Sequence, residues 1–121
     1  MKRLLFAAIF TTFLLHAAIA AAGEPGWFGF AVSVKGSGFF LNPTVEAVII
    51  QSVVPKSPAA QHDIAVGDEV VQVESTAVPG RKANELKPLL RKEVGQVLHL
   101  RLKRVSGEIF SANITAAKRP E

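Results

Sequence analysis

Residues 23–121 predict a small α+β domain, a partly open antiparallel β-barrel or sandwich of five to six strands capped by two helices. Three observations carry that expectation. Apolar residues alternate with polar ones along 97–104 and 108–116, the period of a strand with one buried face. Two other segments carry helix signals, Ser57-Pro58 at the head of one and Leu86, Leu89 and Leu90 along the other. Between them, glycine, proline and asparagine punctuate the chain at short intervals, with no internal repeat. Elements this short bury an apolar face only by closing on one another around one core.

The elements follow in order. Gly23-Glu24-Pro25-Gly26 reads as a flexible lead-in. Residues 28–34 read as a strand ended by Lys35-Gly36-Ser37-Gly38, a turn signal. Phe39-Phe40-Leu41, set between Gly38 and Asn42-Pro43, reads as an irregular flap or short strand packing back on the core. Residues 45–54 form a near-continuous β-branched run, the pattern of a strand buried on both faces. Ser57 suits an N-cap and Pro58 the first helical position, since proline lacks the N–H that would be orphaned there. Residues 59–62 give one or two turns, and Asp63 just beyond them tolerates the left-handed conformation better than most residues. Gly67-Asp68 turns into a strand over 69–73, with a bend near 74–76. Val78-Pro79-Gly80 leads to a second helix over roughly 84–92, N-capped by Asn84 and stopped by Gly95. Pro88 is tolerable in its first turn and kinks it further in. Along 97–104, Leu98, Leu100 and Leu102 share one face and His99, Arg101 and Lys103 the other. Ser106-Gly107 signals a two-residue hairpin into the last strand, 108–116, with Phe110, Ala112 and Ile114 inward.

Residues 1–22 stand apart. Lys2-Arg3 precede an apolar run over 4–15 broken only by Thr11-Thr12, and both Ala18-Ile19-Ala20 and Ala20-Ala21-Ala22 fit a small-x-small cleavage site. This is a secretory signal pattern, with cleavage expected after Ala20 or Ala22. The alternative is an uncleaved anchor, because 4–22 carries no charge and could span a bilayer as a helix. The expected location is therefore periplasmic or secreted, the alternative an inner-membrane anchor facing the periplasm.

The chain has no Cys, which excludes a disulfide framework, a Cys metal site and lipid attachment at the signal's end. Lys2 and Arg3 supply two of the net +4 charges, leaving a mild excess. That excess is local: 81–104 holds Arg81, Lys82, Lys87, Arg91, Lys92, Arg101, Lys103 and Arg104 against Glu85 and Glu93. It reads as solvated helix and strand faces, or alternatively as a field for acidic peptides or anionic lipid heads. With no Tyr and one Trp, the chain offers no stacking surface for bases, and nucleic acid is not an expected partner.

Four segments stand in a telling order: Trp27-Phe28-Gly29-Phe30, Ser57-Pro58-Ala59-Ala60, Val66-Gly67-Asp68, and 91–95 running into Val97-Leu98-His99-Leu100. This order resembles the PDZ domains of bacterial high-temperature-requirement serine proteases and tail-specific proteases, over residues 26–117. It resembles the circularly permuted bacterial type, because with 1–22 removed only Gly23 to Gly26 precede Trp27, and 108–116 supplies an extra strand for the vacant sheet position. The resemblance implies that Trp27, Phe28, Gly29 and Phe30 form a loop receiving a peptide's terminal carboxylate. The N–H groups of Phe28, Gly29 and Phe30 would make an anion nest, with Gly29 giving backbone freedom and close approach. The peptide would add as a strand beside 30–34, in a groove formed by Ala31, Val32, Asn84, Leu86, Leu89 and Leu90. An apolar last residue (Val, Leu, Ile, Ala or Phe) is expected. The sequence departs from the family at Glu24, near the place where many members carry a basic residue. The selectivity-tuning first residue of the second helix is either Lys82 or Asn84. Gly29→Val is expected to leave the fold largely intact while weakening capture.

Catalytic signals are lacking. Gly36-Ser37-Gly38 does not centre Ser in Gly-x-Ser-x-Gly, and His62 and His99 are scattered, without a carboxylate cluster for a metal. Asp68-Glu69 reads as turn chemistry, and no cofactor is expected. The resulting expectation is a non-enzymatic, exported, stand-alone PDZ domain that binds C-terminal or extended segments of envelope proteins by β-augmentation. It would act as adaptor or regulator, with an envelope protease or secretion component among its partners. The alternative is a membrane-tethered interaction protein with a degenerate groove, touching membrane only through an uncleaved N-terminal segment.

Overall fold

The computed structural model describes residues 23–38 and 41–121. Among these, the strands are β1 (Phe30–Ser37), β2 (Thr44–Val53), β3 (Glu69–Val73), β4 (Thr76–Ala77), β5 (Val97–Lys103) and β6 (Ile109–Thr115). The helices are α1 (Pro58–Gln61), between β2 and β3, and α2 (Ala83–Leu90), between β4 and β5. All six strands join one antiparallel sheet in the order β1-β2-β3-β5-β6, with β4 beside β3. Trp27 pairs with Ala117 just beyond β6, so the two ends of the sheet order meet there. This is the expected α+β architecture.

The core fills the inner face. Ile50, Leu98, Leu102 and Ile114 are fully buried, joined by Val45, Val70, Val73, Val78 and Leu86. Leu98, Leu100 and Leu102 point inward along β5, opposite Ile114, Ala112 and Phe110 of β6. One buried charge braces the turn between α1 and β3. Asp68 is 2% exposed, accepts the Ala65 N–H, and pairs with Arg104 at 2.8 Å. The same Arg104 nitrogen donates to the Asp63 carbonyl at 2.7 Å, and its guanidinium lies 3.9 Å over the Phe110 ring. Asp63 closes α1 at φ 61°, the left-handed conformation expected of it.

The structure corrects several expectations. β2 is not buried on both faces. Its register against β1 skips twice, leaving Gln51 and Glu46 as extra residues. Val45, Val48, Ile50 and Val53 thereby face the same way, opposite Gly36, Val34, Val32 and Phe30. Two bulges fold an unbroken apolar run into a strand with one inner face. β1 starts at Phe30 and continues through Lys35-Gly36-Ser37, where a turn is expected, because Gly36 pairs with Val45. Phe39 and Phe40 lie outside the described residues, as do 1–22, and Leu41 is 81% exposed rather than packed on the core.

Further along, the bend near 74–76 contains a short strand, with Thr76 paired to Val73. The β5–β6 loop has three residues, 105–107, rather than two, because Arg104 N–H donates to Glu108 and Gly107 takes φ 98°. The lead-in is not free. Gly26 N–H donates to Lys92, Val94 N–H donates to Glu24, and Trp27 exchanges both backbone bonds with Ala117.

Candidate functional site

β1 is an edge strand, bonded only to β2, and the loop that feeds it is held from one side. Ser57 caps α1 with extended backbone, its Oγ accepting the Ala60 N–H at 3.2 Å, and Pro58 opens the helix as expected. Ala59 N–H donates to the Phe28 carbonyl at 3.0 Å, and Val54 N–H to the Gly29 carbonyl at 2.7 Å. The Ser57 hydroxyl makes a longer contact, 3.5 Å, with that same Gly29 carbonyl. Both loop carbonyls are thus turned toward α1. Among the described residues, neither Phe28 nor Gly29 N–H has a backbone partner. Phe30 stands opposite Val53 beside the Val54–Gly29 bond, a position in an antiparallel ladder whose own N–H points to the open edge. Of these three successive N–H groups, that of Phe30 points to the open edge, and those of Phe28 and Gly29 are not taken up by the backbone.

Gly29 has no substitute here. Its φ is 83°, and an added Cβ would fall 2.2 Å from the Ser57 Cβ. The loop backbone packs directly on the α1 cap, so the expectation that Gly29→Val spares the fold is wrong.

Beside the loop lies an apolar cavity of about 100 Å³ between β1 and α2. Phe30, Val32 and Val34 form one wall, Ala83, Leu86, Lys87 and Leu90 the other, with Val48, Val73 and Leu100 among its floor residues. Lys87 is the one charged side chain in this lining. A wider cavity of about 490 Å³ opens on the far side of the loop, where Phe28 and Leu90 meet Gly26, Arg91 and Gln96. The Phe28 and Phe30 rings lie 6.2 Å apart, one toward each cavity.

α2 is anchored at its start. Lys82 makes no side-chain cap, and the Asn84 N–H is instead served by Asn42 Oδ1 at 3.0 Å, while Ala83 N–H donates to Pro43. The helix ends at Leu90, short of the expected Lys92. Pro88 is its sixth residue and cannot donate to the Asn84 carbonyl. Beyond it, Lys92 Nζ forms an ion pair with Glu74 Oε1 at 2.7 Å, and among the described residues that buried oxygen has no other partner. Burial pushes the Glu74 carboxyl up, but Lys92, with smaller help from His99, outweighs it and holds the group below its ordinary value.

The structure brings Phe28, Gly29, Phe30, Val32, Leu86 and Leu90 together around the loop and its cavities. It does not bring the others. Trp27 spends its N–H on Ala117, so it supports the loop without adding to the open row. Ala31 is exposed on the opposite face of β1, as strand alternation requires. Asn84 is exposed, and Leu89 packs on the core without lining the cavity. The groove face instead carries Ala83, Leu86, Lys87 and Leu90, at helical spacing. Lys87 hid the stripe from an apolar count. Neither Lys82 nor Asn84 lines the cavity.

The exposed His62 and His99 lie apart from this site; His99 Nδ1 meets Asn113 Oδ1 at 2.9 Å. Among the described residues, no three His, Asp or Glu side chains converge to hold a metal, and no helix is long and apolar enough to cross a membrane.

An open strand edge beside an apolar helix wall, headed by a glycine loop, is the geometry that β-augmentation requires. Residues 26–115 match the family model for the PDZ domain, and the chain belongs to that family. Solved structures agree in fold. The chain superposes on the PDZ domain of a carboxy-terminal protease from Vibrio cholerae, solved in complex with a peptide, at TM-score 0.61 and 18% identity, covering 82% of this chain and 99% of that one. It is similar to a photosystem II D1 C-terminal processing protease at TM-score 0.64 and 23% identity, over 88% of this chain and 27% of that one. It is also similar to an HtrA-type protease, AlgW, solved with a decapeptide, at TM-score 0.55 and 21% identity, over 79% of this chain and 30% of that one. The chain thus spans under a third of the length of either whole protease. No curated protein gives a significant match.

Proposed function

We propose that this PDZ domain captures the free C-termini of proteins as an added strand on β1. The observation that carries the reading is the row of unclaimed N–H groups at Phe28, Gly29 and Phe30, placed at the mouth of an apolar cavity. A carboxylate seated there meets fixed donors on a backbone that cannot turn away, since its carbonyls are bonded to Val54 and Ala59. The last side chain then enters a space of about 100 Å³, several times the roughly 10–15 Å³ that admits one water. Val, Leu, Ile, Ala or Phe suits this lining. Main-chain bonds along β1 supply further affinity without reading sequence. The domain itself breaks no bond in this reading.

The proposal extends to location and role. The pattern of residues 1–22 supports export to the envelope with cleavage after Ala20 or Ala22. There the domain would serve as an adaptor or regulator for an envelope protease or secretion component. The neighbour solved with a peptide supports peptide partners.

Binding of a peptide library in two forms, free acid and C-terminal amide, tests the groove. Free acids with apolar last residues should bind and their amides should not. Equal binding of both forms would mean that the loop does not receive the carboxylate. Mass spectrometry of the cell-derived protein reads its first residue; an intact N-terminus on membranes would replace export by tethering through residues 4–22.

A further inference from the structure

The segment that feeds the groove loop is strapped to the chain beyond α2, and the strap starts at a carboxylate. Pro25 bridges to Glu93, the Val94 N–H donates to the Glu24 carbonyl, and the Gly26 N–H donates to the Lys92 carbonyl. Gly23, two residues before Pro25, is then the diagonal neighbour of Glu93 on the same face of this pairing. The approach is close. A Cβ added to Gly23 would fall on Glu93 Oε2, with the Cδ and Cβ of the same side chain next nearest. The backbone nitrogen and the Cβ position of one residue lie about 2.5 Å apart, so the Gly23 nitrogen stands within about 5 Å of that oxygen.

Glu93 has a fixed backbone and a free head. Its N–H donates to Gln96 Oε1 at 2.8 Å, and its carbonyl accepts the Gln96 N–H at 2.9 Å. The Gly95 N–H and the Gln96 carbonyl are in turn bonded to Ala116. Among the described residues the ion pairs are Arg81–Glu85, Lys92–Glu74 and Arg104–Asp68, so the Glu93 carboxylate has no cation. The other charges on the strap and the segment it pairs with are Glu24, Arg91 and Lys92, the last committed to Glu74.

The two cleavage points read in residues 1–22 differ in where they leave the new ammonium. Hydrolysis by a signal-cleaving protease adds water across the peptide bond, leaving a carboxylate on the released piece and an ammonium on the domain. After Ala22 that ammonium is the Gly23 nitrogen itself, beside Glu93. After Ala20 it lies two residues earlier, up to about 7 Å further off. We propose that the chain is processed after Ala22 and that Glu93 is a built-in site for the ammonium of the resulting amino terminus. The proposal rests on the export reading above. An uncut Gly23 presents a neutral amide to this carboxylate, so the ion pair forms only in the processed protein. Glycine suits the seat, because any side chain there would push the carboxylate aside. The pair closes the start of the strap, which lines the cavity of about 490 Å³ beside Phe28.

The test starts from the full chain, expressed with residues 1–22 and recovered after processing. Mass spectrometry should find Gly23 as the first residue. A first residue of Ala21 overturns the proposal and leaves export standing, whereas an intact N-terminus overturns export and the proposal with it. On the processed protein, the α-amine is methylated with ¹³C-formaldehyde under reducing conditions, which keeps its charge, and titrated by NMR. Its pKa should lie about half a unit higher in the wild type than in Glu93→Gln, with the difference shrinking as salt rises. Equal values in the two proteins overturn the ion pair even where cleavage falls after Ala22.

Discussion

The two walls of the groove are built on opposite plans. The loop wall is fixed from several directions: Ser57 caps α1 and touches Gly29, Ala59 and Val54 hold the loop carbonyls, and Arg104 braces the turns on either side of Ile64. The α2 wall is lightly held. It borrows its cap from Asn42, lacks a bond at Pro88, and faces β1 across open space. On the reading proposed above, the half that would receive the carboxylate is the more rigidly held and the half that would meet side chains the more adjustable. A fixed nest would hold any carboxylate, whereas a less firmly tied wall would fit different last residues.

Gly29→Val breaks the rigid side most severely. It forces a β-branched residue to φ 83° and drives its Cβ into Ser57, with an expected loss of about 3–4 kcal/mol in urea unfolding and no measurable peptide capture. Arg104→Met comes next. It leaves the buried Asp68 carboxylate without its cation, and with Arg104 itself 29% exposed the cost should be about 2 kcal/mol. A loss below about 0.5 kcal/mol in the same unfolding assay would show that this brace is ornamental.

Pro88→Ala sharpens the contrast from the other side. It restores a donor for the Asn84 carbonyl, and α2 should gain about 1 kcal/mol and extend toward Lys92, seen as slower amide exchange across 84–92. Unchanged exchange would mean that packing, not proline, ends the helix at Leu90. The smallest effect concerns the anchor just after α2. The Glu74 carboxyl titrates lower folded than unfolded, where its ordinary value is 4.5, so its ion pair stabilises the fold above that range. That contribution is lost as pH falls through the folded value. Unfolding midpoints between about pH 6 and pH 3 should therefore drop less steeply in Lys92→Met, by about 0.5 kcal/mol over the range.

The rigid wall was also the legible one. Ser57-Pro58 and Asp63 announce their conformations through local chemistry that needs no partner, and each stands where the residues alone placed it, while Gly29 was legible through the family resemblance. The outward and inward faces of β5 and β6 were equally readable, since alternation is a property of one strand. The adjustable wall depended on distant partners. The start of α2 is set by Asn42 and Pro43, some forty residues away in sequence, so its phase could not be counted from Asn84 forward. The same holds for β2, where Gln51 and Glu46 become bulges only against β1. Leu89 and Leu90 look alike in sequence and both pack against the core, yet only Leu90 also lines the groove.

The clasp between Trp27 and Ala117 has an architectural consequence. A domain whose incoming and outgoing backbones are hydrogen-bonded neighbours enters and leaves its host through one gate. Such a unit can be spliced into a surface loop of a larger protein while displacing the host's own strands by little more than the width of a β-ladder, about 5 Å. Because Trp27 stands two residues before Gly29, the loop that heads the groove would sit at that gate, beside the host.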